Sequence, residues 1–65
     1  MLLKLTNNTE SRRGKEILIN MDHIISIYPD EIDGAEVTIM YSNTQEQWHV
    51  AENLETIMKL VEAKA

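Results

Sequence analysis
The chain has 65 residues, 43% hydrophobic and 26% charged, with no cysteine and with eleven acidic against six basic side chains for a formal net charge of −5. A single domain of this size buries only ~60% of the surface of its unfolded chain, and without disulfides or thiolate zinc sites the common remaining support is oligomerisation. The acidic balance disfavours general nucleic-acid binding, no apolar run approaches the ~20 residues of a membrane span, and Lys4 interrupts Met1-Leu2-Leu3 before any signal-peptide core can form, so a cytoplasmic setting is expected.

Leu2 to Thr6 predicts a first strand, with Leu3 and Leu5 on one face and Leu2 and Lys4 on the other. Asn7 to Gly14 is dense in turn formers and predicts a loop closing a hairpin. Lys15 to Asn20 follows as the second strand, where Ile17 and Ile19 match Leu3 and Leu5 as the inward face. Asn20-Met21-Asp22-His23 predicts a tight turn, because Asn and Asp side chains bond nearby backbone amides. The third strand is read as Ile24 to Tyr28, stopped by Pro29, which has no N–H for a ladder. Asp30 to Gly34 reads as an acidic loop ending in the turn dipeptide Asp33-Gly34. Glu36 to Tyr41 is the fourth strand, and Ser42-Asn43-Thr44 turns it into the fifth, Gln45 to Val50.

At Leu54 the apolar period changes from two to that of a helix. Asn53 stands at the N-cap, and Leu54, Ile57, Met58 and Val61 form one apolar stripe opposite Glu55, Lys59 and Glu62. Leu60 lies off that stripe and points to a second contact beyond the sheet. The predicted class is α+β, mainly β: a five-stranded antiparallel meander, open or curled into a small barrel, followed by one C-terminal amphipathic helix.

Little in the chain carries chemistry. His23 beside Asp22 and the distant His49 do not make the three or four convergent ligands of a metal centre, and Asp30, Glu31 and Asp33 lack the helical flanks of a calcium hand. Ser11, Ser26 and Ser42 have no histidine at a recognised spacing, and Gly14 and Gly34 are too few for a phosphate loop. No catalytic residue, cofactor site or metal site is assigned, and the chain reads as non-enzymatic. Trp48 is expected to fill core space between sheet and helix.

The second faces of the strands carry Leu2, Leu18, Ile24 and Met40, more apolar side chains than a solvated face would show. With Leu60 these residues form the predicted interface, either with further copies of the chain or with an unidentified protein partner. The alternative is a nucleic-acid-binding regulator on a small barrel that uses Lys4, Arg12, Arg13 and Lys15.

Leu-Lys-Leu-Thr within residues 2 to 6, Gly14-Lys15-Glu16 opening a strand, Asn20-x-Asp22-x-Ile24 at the turn and Val37-Thr38-Ile39 before a polar turn resemble the small FlbD-like family. Its members are similarly short, end in an acidic amphipathic helix like Glu52 to Val61, and are associated by name with flagella and swarming motility. The first loop is longer than the family's usual connection, Met21 stands where proline is common, and Ser42-Asn43-Thr44 replaces an Asn-Gly type turn. The resemblance implies a scaffold and no catalytic residues.

Overall fold
A computed structural model describes residues 1–64. Five antiparallel strands and one C-terminal helix follow in chain order: β1 (Leu2–Thr6), β2 (Glu16–Asn20), β3 (Ile24–Ile32), β4 (Ala35–Ser42), β5 (Gln47–Val50) and α1 (Leu54–Lys64). Two short 3-10 turns, Glu10–Arg12 and Met21–His23, lie in the connections flanking β2.

The strands do not form one continuous meander. β1 pairs with β2, β3-β4-β5 form a second sheet, and β2 makes no ladder with β3. At the end of β2 the Asn20 side chain accepts from the Asp22 N–H at 3.1 Å, which fixes the 3-10 turn. The His23 carbonyl then accepts from Asn43 N–H, so the chain leaves the turn already committed to the second sheet. The two sheets meet where β1 ends: Asn7 bridges Val50, Asn8 N–H donates to the His49 carbonyl and Ala51 N–H to the Thr6 carbonyl, both at 2.9 Å. The result is a partly curled β layer and not a closed barrel.

In the first hairpin the register is Leu3 opposite Ile19 and Leu5 opposite Ile17, so the four predicted inward residues share a face. β3 corrects the expectation that pairing stops at Pro29: the strand runs through Pro29, Asp30 and Glu31 to Ile32, and only Asp33-Gly34 turns. Both turn residues have positive φ, 53° and 80°, the combination a type I′ hairpin needs, and Asn, Asp and Gly tolerate it best. Counting back from the hydrogen-bonded closing pair Ile32–Ala35, the pair Pro29–Thr38 falls at a non-bonded position, so the proline nitrogen faces away from β4 and no ladder bond is lost. β5 starts later than predicted, at Gln47, because Ser42 to Glu46 form the turn: the Ser42 hydroxyl accepts from the Thr44 and Glu46 N–H groups, and Gln45 takes φ 68°.

The core joins Leu3, Leu5 and Ile19 of the first sheet to Met40 and Val50 of the second and Ile57 of α1. Ile17, Met21, Ile24, Ile27, Trp48 and Val61 pack around it. Trp48 is therefore half-buried against the core. α1 begins as predicted, with Asn53 Oδ1 accepting from Thr56 N–H at 2.8 Å, and Glu55 pairs with Lys59 at 3.3 Å one turn on. The stripe is narrower than predicted: Ile57 is buried and Leu54 and Val61 half-buried, but Met58 stays exposed.

β4 is covered on both faces within the subunit. Met40 and Thr38 are buried on the core side, while Val37 and Ile39 are buried on the other, where Ile39 lies between Tyr28 of β3 and His49 of β5. Leu5→Ala and Met40→Ala are each expected to lower unfolding free energy by about 2–5 kcal/mol, and Asn53→Ala by about 1 kcal/mol, read from urea denaturation at unchanged m-value.

Candidate functional site
The residues predicted to form an interface separate into two groups. Met40 is corrected to a core residue: at 0% exposure it faces Ile27 and Trp48 across the second sheet, because β4 is the central strand and its core face was taken for the outer one. Ile24 is half-buried against the core, where it starts β3 opposite Ser42. Leu2, Leu18 and Leu60 remain on the surface, 51%, 63% and 37% exposed.

Leu2 and Leu18 are diagonal neighbours on the outer face of the β1–β2 hairpin, since Leu2 opposes Asn20 and Lys4 opposes Leu18. Leu60 stands one turn before Lys64, whose Nζ donates to the Leu2 carbonyl at 2.6 Å, so this flank of α1 runs up to β1. The hairpin face thus carries two large apolar side chains beside one ion pair, Lys4 to Glu16 at 3.5 Å. Of the further exposed apolar side chains missing from the predicted set, Ile25 and Met58 are the most exposed, at 71% and 61%. Ile25 sits at the β-bulge between Ile24 and Ser26, where an extra residue turns outward; the Ile24-Ile25 doublet breaking the alternation was its only sequence signal.

Beside β2 lies an open cleft of about 310 Å³. Leu18, Ile19 and Asn20 form one wall, and Ile24, Trp48 and the Ser42–Glu46 turn form the rest. His23 lines it too, but Asp22 is directed elsewhere, bonded to the N-terminal ammonium at 3.0 Å. Among the described residues no three His, Cys, Asp or Glu side chains converge as metal ligands. His49 contacts Gln47 at 2.6 Å on the opposite side of the sheet from the core.

The four cations of the alternative reading are not drawn into one patch. Lys4 sits mid-strand and pairs with Glu16, whereas Arg12, Arg13 and Lys15 belong to the connection, three ladder positions and ~10 Å further along. Arg13 Nε donates to Asn8 Oδ1 at 3.1 Å, and Glu10 shares the 3-10 turn with Arg12.

The backbone edges differ in a way that matters for contact. Met21 N–H donating to the Met1 carbonyl and Asn7 N–H to the Lys15 carbonyl extend the β1–β2 ladder at its two ends, which makes Leu3–Ile19 and Leu5–Ile17 its hydrogen-bonded pairs. Leu2, Lys4 and Thr6 therefore turn their backbone groups away from β2, and Glu16, Leu18 and Asn20 turn theirs away from β1. On the β1 side, Glu52 receives the Thr6 N–H and hydroxyl, both at 2.9 Å, and Lys64 covers the Leu2 carbonyl. Glu52 thus acts as a side-chain substitute for a neighbouring strand.

Compared with known protein families, with curated proteins and with solved structures, the chain finds no match. Among the described residues no helix is long and apolar enough to cross a membrane.

On the far face of the second sheet Tyr28 and Tyr41 stack, with ring centroids 5.9 Å apart and planes 17° from parallel. The Tyr41 hydroxyl alongside, slight desolvation and the negative charge of Asp30 hold the Tyr28 pKa above the ordinary phenol value near 10. The folded chain thus keeps Tyr28 neutral where the unfolded chain ionises it. Stability from this pair is fully present below about pH 10 and falls as pH rises from the unfolded toward the folded pKa. An ultraviolet absorbance titration is expected to resolve one late tyrosine transition that moves back toward pH 10 in Tyr41→Phe.

Proposed function
We propose that this chain is a non-enzymatic protein that works through protein–protein contact and assembles with copies of itself, in the cytoplasm. The observation that carries this reading is the outer face of the β1–β2 hairpin, where Leu18 and Leu2 stand largely in water on a domain too small to spare apolar surface. Covering one leucine side chain is worth ~1.5–3 kcal/mol, a sizeable share of the stability of a domain this small. The resemblance to FlbD-like proteins supports a scaffold of this kind and would set the assembly in a motility context; it rests on the residue pattern alone.

Sedimentation equilibrium tests the reading. The wild-type chain is expected to sediment as a dimer or larger species at micromolar concentration, and Leu18→Lys as a monomer that keeps the wild-type circular dichroism spectrum at 20 °C while its thermal midpoint loses the concentration dependence of the wild type. A wild type that stays monomeric to ~100 μM, near the weak end of specific association, overturns it.

A further inference from the structure
We propose that two copies of this chain join through the outer edge of β2, strand against strand about a two-fold axis at Leu18. The inference rests on the self-assembly reading above and gives it a contact mode.

An unpaired strand edge is a template for another strand, and proteins normally blunt it. Here the other long edges are blunted. β1 has Glu52 on Thr6 and Lys64 on Leu2. β3 has the bulge at Ile25 and the nitrogen of Pro29 directed outward, where a neighbouring strand would need an N–H. β2 has neither proline nor bulge, and among the described residues no group hydrogen-bonds to the outward N–H and C=O of Glu16 and Leu18. Glu16, Leu18 and Asn20 are all exposed.

The sequence Glu16-Ile17-Leu18-Ile19-Asn20 also fits its own reverse. In antiparallel pairing centred on Leu18, the two Leu18 residues form a hydrogen-bonded pair, each donating its N–H to the other's carbonyl. Ile17 then opposes Ile19 of the second copy on the inner side, beside the cleft walled by Ile19, Ile24 and Trp48. On the outer side the two Leu18 side chains meet, and Glu16 opposes Asn20 of the second copy, so no like charges face each other. Each carboxylate has an amide opposite, and its own Lys4 remains alongside at 3.5 Å. The contact is isologous and closes at two copies. It also joins the two β1–β2 hairpins into one four-stranded sheet, past the three strands that independent stability requires.

The test uses the full chain prepared by chemical synthesis, with Leu18 replaced by N-methyl-leucine. This keeps the side chain and the β1 ladder and removes only the outward N–H. The dimer dissociation constant from sedimentation equilibrium is expected to rise about tenfold or more, since two hydrogen bonds are lost and two methyl groups intrude. Asn20→Asp, which keeps the acceptor that holds Asp22 N–H, sets a second carboxylate opposite Glu16 and is expected to weaken association about fivefold at low salt, less at high salt. In hydrogen exchange the Leu18 amide becomes slower with rising protein concentration. Association unchanged in both variants overturns the edge contact while leaving self-assembly standing; a wild type that never associates overturns both.

Discussion
Two small sheets share one core in this molecule, and the smaller of them is too small to stand alone. The β1–β2 hairpin is a two-stranded ribbon, marginal in water by itself, and its inner residues Leu3, Leu5 and Ile19 are buried only because Met40, Val50 and Ile57 lie against them. What holds the sheets in that relation is the short junction at the end of β1. The Thr6–Ala51 and Asn8–His49 backbone bonds flank the Asn7–Val50 bridge, and the Glu52 carboxylate accepts from the Thr6 N–H and hydroxyl. The same four residues, Asn7 to Val50 and Thr6 to Glu52, set where α1 begins, since Asn53 caps the helix directly after Glu52.

How far the fold can be read from the sequence depends on whether the deciding contact is local. Leu3 and Leu5 against Ile17 and Ile19, the Asp33-Gly34 turn and the Asn53 cap are written in spacing and residue type within a few positions. Pro29 is different. Whether proline ends a strand depends on which way its nitrogen points, and that is set by a register counted from a turn five residues away. Met40 fails for a related reason: the face of β4 that meets the core carries Glu36, Thr38 and Ser42 beside Met40, while Val37, Ile39 and Tyr41 lie on the other, so alternation identifies the strand but points to the wrong side as the inner one. Met58 lies on the helical stripe by spacing, yet the sheet beneath is narrow enough to cover only Leu54, Ile57 and Val61.

The candidate contact surface was legible in part for the same reason. Leu2 and Leu18 alternate against core residues in a simple hairpin, so their outward direction follows from the pattern. The condition of each strand edge does not. It emerges from Glu52, Lys64 and Pro29 acting on strands distant from them or through register, and only three dimensions distinguish the covered edges of β1 and β3 from that of β2.

The junction also governs how the chain reaches its native state. Each ladder joins strands adjacent in sequence, so the hairpins close over short loops and can form on the microsecond scale typical of such elements. Thr6 and Glu52 are 46 residues apart, and bringing them together carries the entropy of closing most of the chain. The junction therefore carries the contact of greatest sequence separation, and because the ribbon is marginal alone, its stability is tied to that closure and the two chain halves become stable together.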